Sequence, residues 1–194
     1  MKLLYTKRSP FARKVRVVAL EKGIKLDLID ENLQEKSAQL KKANPVAKIP
    51  TLILDNGQIY YDSKVIVQYL EYVKLSPRVI PNDPLKRLEV LKWEAMADDL
   101  VTVAINAYME KIRHPQDFNA AFVASQETAI KDAYAGIEAR LDELKELHLG
   151  SINVACAIGY IYFRLPHLKV EGKLAAWFDA ISKRPSMMET VPVA

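Results

Sequence analysis

Apolar positions near the start of the chain follow first a strand and then a helix pattern. A short apolar run covers residues 2–5, and Ser9-Pro10 then places a typical helix N-cap residue before a proline at the first helical position. The next apolar residues recur at helical spacing in one stripe: Phe11, Val15, Val18 and Ala19. Gly23 stands where a helix C-terminal cap is expected. The pattern predicts a strand followed by a helix.

Strand and helix patterns continue to alternate up to about residue 73. The predicted strands are 26–29, 50–54 and 58–61, and the predicted helices are 35–43 and a segment starting after Ser63. Asn56-Gly57 lies between two apolar runs, which is a strong signal for a β-hairpin. Residues 1–75 are therefore predicted to form one compact α/β domain.

The second part of the chain lacks strand patterns. Pro77, Pro81 and Pro84 make a stiff connector in which no regular element can persist. Beyond it, apolar residues recur at helical spacing, and the stretch 117–147 is rich in Ala, Glu, Lys and Leu. Residues 84–194 are therefore predicted to form an all-helical domain, in which Cys156 lies on an apolar stripe and is interpreted as a core residue.

Composition narrows the function classes. Hydrophobic residues make up 50% and charged residues 27% of the 194 positions, as in an ordinary globular protein. The net charge is +4, with +6 through Asp83 and −2 beyond it, which suits a small anionic ligand better than a nucleic acid. A single cysteine leaves no internal disulfide and no cysteine-rich metal site, and no apolar run has membrane-spanning length. We expect a cytoplasmic protein without metal, nucleic acid or membrane partners.

Three segments carry more specific information. They are Ser9-Pro10-Phe11-Ala12-Arg13-Lys14-Val15, Asn44-Pro45-Val46-Ala47-Lys48-Ile49-Pro50-Thr51-Leu52, and Tyr61-Asp62-Ser63. Together, in this order and spacing, they resemble the glutathione site of bacterial, serine-type members of the glutathione S-transferase superfamily. Ala155-Cys156-Ala157-Ile158-Gly159-Tyr160 and Arg184-Pro185-Ser186 extend the resemblance over nearly the whole chain.

The resemblance implies a thioredoxin-like N-terminal domain, an all-α C-terminal bundle and Ser9 as the catalytic residue. A helix start favours negative charge, and a hydroxyl there can donate a hydrogen bond to a thiolate. Without the other segments, Ser9 would be a simple N-cap. Tyr5 is an alternative hydroxyl donor, as in tyrosine-type relatives, but it lies within the first predicted strand.

The resemblance also implies which residues bind glutathione. Ile49, before a cis Pro50, would pair its backbone with the cysteinyl backbone of the ligand, and Lys48 would meet the glycyl carboxylate. Asp62 and Ser63 open a helix, where N–H groups and a hydroxyl can hold the γ-glutamyl carboxylate while the aspartate accepts from the ammonium. Phe11 belongs to the same predicted site. No cofactor is implied, since glutathione is a co-substrate.

Further candidates lie on the first long helix of the second domain. Asp98 or Asp99 resemble acidic residues that reach across a dimer interface in some relatives, and Tyr108 and Arg113 are candidates for the electrophile pocket. Each of these also fits a solvated helix face. The resemblance implies a homodimer, in which Trp93 and Met96 are expected to face the partner.

One segment departs from the family pattern. Relatives commonly carry a Ser/Thr-x-x-Asp capping box before the Ala-Cys-Ala helix, whereas His148 and Ser151 stand at these positions here. The connection from Leu147 is also several residues shorter than usual. We therefore expect the capping box to be lost.

The sequence favours an enzyme that conjugates glutathione to small hydrophobic electrophiles, a detoxification chemistry. A non-catalytic interaction protein of the stringent starvation type keeps the same fold, but the intact Ser9 and Asp62-Ser63 argue against it. A glutathione-dependent disulfide reductase would need a cysteine where this chain has Ser9 or Ala12.

Overall fold

The structure is a computed structural model that describes residues 1–193 and contains two compact units. One unit comprises Met1–Pro81 together with the C-terminal segment that begins at Pro185. The other comprises Asn82–Arg184 and is built from helices. The sequence prediction of an α/β domain followed by a helical one is therefore confirmed at the level of fold class.

The α/β unit follows the predicted order of strands and helices. Its elements are β1 (Lys2–Tyr5), α1 (Pro10–Glu21), β2 (Asp27–Asp30), α2 (Ala38–Ala43), β3 (Thr51–Ile53), β4 (Ile59–Tyr60) and α3 (Ser63–Val73). Several elements are shorter than their apolar patterns predicted. The helix expected over 35–43, for example, begins only after Ser37, whose hydroxyl accepts from the backbone N of Leu40 at 3.0 Å and caps it.

The four strands form one mixed sheet in the order β2-β1-β3-β4. β1 runs parallel to β2 and antiparallel to β3, and β3 runs antiparallel to β4. Leu3, Leu4 and Leu52 are fully buried at the centre of this sheet. Gly57 takes the positive φ of 86° that the predicted β3–β4 turn requires, which glycine adopts without steric cost.

A buried ion pair joins the end of α1 to the segment that follows α3. The Lys22 side chain is fully buried, and its Nζ lies 2.9 Å from Glu71 Oε1 and 2.7 Å from the backbone oxygen of Pro77. Glu71 Oε1 also accepts from the backbone N of Val79 at 3.0 Å. A buried charge is tolerated only when it is paired, so these contacts fix the path of the connector against α1.

The helical unit contains α4 (Pro84–Arg113), α5 (Ala120–Glu138), a short 3-10 helix (Leu141–Leu144), α6 (Leu149–Arg164) and α7 (Gly172–Ser182). α6 is the core helix of this unit, and Cys156 is fully buried on it, as predicted. A Cβ added to Gly150 would lie 2.5 Å from the Cβ of Trp93, so α6 approaches α4 too closely for any other residue there.

Trp93 does not face a partner subunit, contrary to the sequence expectation. Its side chain is only 2% exposed, its Nε1 donates to Glu143 Oε2 at 2.9 Å, and the Arg140 guanidinium lies 4.9 Å from the centroid of its ring system. These contacts lie within the helical unit and leave no surface for a partner. Met96, in contrast, is half-buried.

The prediction that the capping box before α6 is lost was wrong. His148 Nδ1 accepts from the backbone N of Ser151 at 3.2 Å, and Ser151 Oγ accepts from the backbone N of His148 at 3.0 Å. An imidazole nitrogen and a hydroxyl therefore supply the two acceptors that a hydroxyl and a carboxylate usually supply. The start of α6 is capped by different residue types with the same hydrogen-bond pattern.

A final short helix, α8 (Pro185–Glu189), belongs to the α/β unit. Arg13 donates from Nη2 to the backbone oxygen of Met187 at 3.1 Å and from Nε to Thr190 Oγ1 at 3.3 Å. These bonds join the chain after Pro185 to α1. This differs from the sequence prediction, which assigned all of residues 84–194 to the helical domain, because the prediction followed chain order and could not see this packing.

Candidate functional site

The strand register brings the three predicted segments to one edge of the sheet. β1 pairs antiparallel with β3, so its carboxyl end lies beside the beginning of β3, with Leu4 opposite Thr51. β3 pairs antiparallel with β4, which places Tyr60 opposite Leu52. The turn that leads to Ser9, the segment before Thr51 and the chain after Tyr60 therefore all leave the sheet at this edge.

Ser9 is the N-cap of α1, as predicted. Its Oγ accepts from the backbone N of Ala12 at 3.2 Å, and its own N–H donates to the backbone oxygen of Thr6 at 3.2 Å. The side chain is half-buried. The Ser9 hydroxyl donates no hydrogen bond to any atom of residues 1–193, so it can donate one to a bound ligand.

A buried amide holds the segment before β3. Asn44 is 3% exposed, and its Nδ2 donates to the backbone oxygen of Lys48 at 3.0 Å and to Thr51 Oγ1 at 3.2 Å. Its Oδ1 accepts from the backbone N of Val46 at 3.0 Å. Ala47 lies within this turn at a φ of 50°. The carboxamide of Asn44 thus fixes the backbone on both sides of the turn.

The Lys48-Ile49-Pro50 stretch emerges from that turn. The Ile49–Pro50 peptide bond is cis, as the resemblance implies, and Lys48 is exposed. Ile49 lies before the first residue of β3, outside the strand pairing, and is half-buried. Its backbone is therefore placed at the sheet edge without being part of the sheet ladder.

Asp62 and Ser63 lie at the start of α3. Asp62 is the exposed N-cap, and its Oδ1 accepts from the backbone N of Lys64 at 3.0 Å. Ser63 is the first residue of α3 and is 1% exposed. The unpaired N–H groups of a helix start favour an anionic group.

Two further predicted residues of the α/β unit, Phe11 and Tyr5, are partly or fully buried. Phe11 is half-buried in the first turn of α1. Tyr5, the alternative hydroxyl donor, is 5% exposed, and the Arg16 guanidinium lies 5.1 Å from the centroid of its ring. Burial lowers the pKa of Arg16. Tyr5 is therefore a packed residue of β1, whereas Ser9 has an available proton.

The two candidate aspartates of α4 differ in burial. Asp98 is 7% exposed, and its Oδ1 accepts from Asn153 Nδ2 at 2.9 Å. Its carboxylate is thus engaged inside the helical unit, so of the two alternatives Asp99 stays the candidate for a role across a dimer interface. Asp99, the next residue on α4, is exposed.

Tyr108 has a partner that the sequence analysis missed. Arg164, at the end of α6, donates from Nη1 to the Tyr108 hydroxyl at 3.1 Å and holds its guanidinium carbon 4.6 Å from the centroid of the ring. Burial raises the pKa of the neighbouring Tyr160, while Arg164 opposes this effect. Arg113 is exposed at the end of α4. Tyr108 and Arg164 are therefore held together by a hydrogen bond and a cation–π contact.

The described chain, residues 1–193, contains no group of three or more His, Cys, Asp or Glu side chains able to hold a metal ion. Within the same residues, no helix combines the length and the apolar character needed to cross a bilayer.

Similarity to known proteins covers both parts of the chain. A family model for the N-terminal domain of glutathione S-transferases matches residues 3–73. The GST-like protein YibF of Escherichia coli is 33% identical over 168 residues, which cover 84% of this chain and 83% of that protein.

Solved structures are similar over the full length. A glutathione transferase family member from Pseudomonas fluorescens, crystallised with bound glutathione, has a TM-score of 0.90 at 35% identity, with coverage of 100% of this chain and 99% of that chain. A glutathione S-transferase from Methylobacillus flagellatus, also with glutathione bound, has a TM-score of 0.91 at 36% identity, with 99% of each chain covered. With one relative above 30% identity over most of its length and these full-length structural matches, the chain belongs to the glutathione S-transferase family.

Proposed function

We propose that this protein binds glutathione at the edge of the sheet where Ser9, Ile49 and Ser63 converge, and conjugates its sulfur to electrophilic small molecules. The observation that carries the proposal is the hydrogen bonding of the Ser9 hydroxyl. Its oxygen accepts a bond from the start of α1, while its proton is not used in a bond to the protein. The similar proteins from Pseudomonas and Methylobacillus were solved with bound glutathione, which supports the ligand.

Ser9 is proposed to stabilise the thiolate. A free thiol has a pKa of about 8.5, so only a few per cent is ionised at neutral pH. A hydrogen bond from the Ser9 hydroxyl and the N-terminal end of α1 would both favour the anion and lower this pKa. The thiol proton is lost to solvent before attack. The sulfur then forms a bond to carbon, and the leaving group departs with the electron pair of the bond that breaks.

The other predicted residues are proposed to hold the ligand. The backbone of Ile49 would pair with the cysteinyl unit, Lys48 would neutralise the glycyl carboxylate, and Ser63 would bind the γ-glutamyl carboxylate at the start of α3. Asp62 would accept from the γ-glutamyl ammonium. Phe11 is proposed to pack beside the same ligand, while Tyr108 and Arg113 are proposed to contact the electrophile.

Replacing Ser63 tests the binding site directly. Ser63→Ala removes a hydroxyl that is proposed to bind a carboxylate, so we expect glutathione affinity to fall by about 1 to 3 kcal/mol, the usual effect of losing a hydrogen bond to a charged group. Isothermal titration calorimetry with glutathione measures this loss.

Ser125→Ala is the matched control, because Ser125 is exposed on α5 and its hydroxyl donates only to the backbone oxygen of Phe122 in its own helix. This variant should bind glutathione like the wild type. Unchanged affinity in Ser63→Ala would remove the start of α3 from the glutathione site.

We also propose a homodimer in the bacterial cytoplasm. Both units expose large apolar side chains, among them Val46 at 63%, Tyr72 at 81%, Leu85 at 74% and Leu88 at 61%. Large exposed apolar surfaces typically mark interaction sites. Asp99 is exposed on α4 and is the residue that we propose for a role across such an interface. The cytoplasm is proposed because the single cysteine of the chain, Cys156, forms no disulfide, which suits a reducing compartment.

A further inference from the structure

We infer that a polar cavity on the β2 side of Ser9 binds an acidic group of the electrophile, so that the preferred second substrate carries a carboxylate or a similar anion. The inference rests on the proposed conjugation of glutathione and specifies its other substrate. The cavity has a volume of about 320 Å³, which is large enough for a small substituted ring. It is lined by Thr6, Lys7, Arg8, Asp30, Glu31 and Val193.

The cavity lies at the same sheet edge as the proposed glutathione site, but on the other side of β1. β1 and β2 run parallel, and Tyr5 pairs with Asp30, so Thr6 and Glu31 leave the sheet together. The segments proposed to hold glutathione lie on the β3 and β4 side, since the strand order is β2-β1-β3-β4. The two sites therefore flank the turn that ends at Ser9.

A tight turn links the cavity to Ser9. The backbone N of Ser9 donates to the backbone oxygen of Thr6 at 3.2 Å, with Lys7 and Arg8 as the central residues. The first and last Cα atoms of a β-turn lie within about 7 Å of each other. A group bound beside Thr6 is consequently within the length of one small molecule from a sulfur at Ser9.

Thr6 offers a buried hydroxyl without a partner. The residue is 4% exposed, and its Oγ1 makes no hydrogen bond with any atom of residues 1–193. A buried hydroxyl without a partner is costly, and such groups are rare in folded proteins. Because Thr6 lines the cavity, a bound ligand is the partner that this hydroxyl fits.

The cations of the cavity are available, whereas one of its acids is already engaged. Lys7 and Arg8 are exposed and form no ion pair or side-chain hydrogen bond within residues 1–193. Glu31 is 6% exposed, and its two carboxylate oxygens accept from the hydroxyl and the backbone N of Ser37 at 2.8 and 3.3 Å. Asp30, the other acid of the cavity, is exposed to solvent.

These features together select an acidic ligand group. Two unpaired cations and a hydroxyl donor match a carboxylate, which accepts several hydrogen bonds. An unsubstituted hydrophobic electrophile would leave the buried Thr6 hydroxyl without a partner. The second substrate is therefore an acid-bearing electrophile, rather than the purely hydrophobic molecule that the sequence suggests.

A matched pair of aryl halides tests substrate choice. With saturating glutathione, wild-type protein should show a kcat/KM for 4-chloro-3-nitrobenzoate at least about tenfold above that for its methyl ester, after correction for uncatalysed rates, as expected for charge-assisted bonds to one carboxylate. The Lys7→Gln, Arg8→Gln double variant should lose most of this preference, because its kcat/KM with the acid should fall toward its value with the ester. A Lys86→Gln, Lys183→Gln variant, with the same change in net charge, should behave like the wild type.

A binding measurement separates this inference from the proposed catalysis. Calorimetry with the preformed conjugate of glutathione and 4-chloro-3-nitrobenzoate, compared with its methyl ester, needs no turnover. The acid conjugate should bind at least about tenfold more tightly, and both the double variant and Thr6→Val should reduce that difference. Thr6→Val should leave thermal stability unchanged or higher, because Oγ1 has no protein partner to lose.

Equal binding of acid and ester to the wild type would overturn the inference. So would a loss of affinity for glutathione itself in the double variant, because the cations would then belong to the glutathione site. If neither aryl halide is converted but the acid conjugate still binds preferentially, the conjugation proposal fails while the acid-binding cavity stands.

Discussion

The side chain of Asn44 controls the backbone that is proposed to bind glutathione. Its carboxamide bonds to Lys48, Thr51 and Val46 and is almost fully buried. Asn44→Ala would leave these polar groups without partners, so we expect stability to fall by about 2 kcal/mol and glutathione affinity to fall with it. Denaturant unfolding and calorimetric titration measure the two effects.

Asn56→Ala is the matched control, because the Asn56 amide bonds only to nearby Gln58 in an exposed turn. It should change stability by no more than about 0.5 kcal/mol. If Asn44→Ala were as stable as this control, the network would not hold the turn.

Residue by residue, the sequence predicts helix ends better than side-chain partners. Ser9 and Asp62 were predicted at helix starts because capping depends on a few neighbouring positions. The bonds of Asp98 with Asn153, and of Tyr108 with Arg164, join positions more than 50 residues apart. No local pattern contains such contacts, so neither the burial of Asp98 nor the role of Arg164 was predicted.

At the scale of elements, the Lys22–Glu71 pair joins the end of α1 to the connector after α3. Lys22→Met would remove the closer of two cations from the buried Glu71 carboxylate and leave only Arg78, whose Nη1 lies 3.9 Å from Glu71 Oε2. Breaking a buried pair typically costs about 3 to 5 kcal/mol. We therefore expect a large drop in the free energy of unfolding, measured in urea.

Lys145→Met provides the comparison, since Lys145 forms an exposed pair with Asp142 at 2.7 Å. Pairs of this kind contribute about 0 to 1 kcal/mol. Equal losses in the two variants would show that the buried pair does not anchor the connector.

The main strands and helices were predictable because their apolar periods are local. α8 and the capping box of α6 were not. α8 is held in place by hydrogen bonds from Arg13 to Met187 and Thr190, which are distant in sequence. The capping box uses an imidazole, a residue type that common capping rules do not include. Both errors concern contacts that depend on the folded unit rather than on nearby residues.

At the scale of the whole molecule, the central structural proposal is dimerisation. We expect light scattering at micromolar concentration to give about twice the mass of one chain. A Leu85→Glu, Leu88→Glu variant should shift the mass toward the monomer, because both leucines are exposed on α4 and charges there would oppose apolar association. Ile112→Glu, at an exposed position near the other end of α4, should remain dimeric. A monomeric wild type would contradict the proposal.

The function proposed for the whole molecule depends on a thiolate held at Ser9. Ser9→Ala removes one hydrogen bond to an anion, worth about 1.5 to 3 kcal/mol, and should lower the conjugation rate near neutral pH by roughly tenfold to a hundredfold. Glutathione affinity should change little, since the peptide backbone and carboxylates of the ligand are held elsewhere. Helix-end electrostatics would leave some activity.

The most direct test follows thiolate absorbance against pH in wild type and Ser9→Ala, both saturated with glutathione. The hydroxyl favours the charged form, so the bound thiol of the wild type should titrate below its ordinary pKa of about 8.5, and that of Ser9→Ala should titrate at higher pH by about 1 to 2 units. Ser125→Ala should reproduce the wild-type curve. Coincident curves for wild type and Ser9→Ala would contradict the role of Ser9 and with it the proposed mechanism.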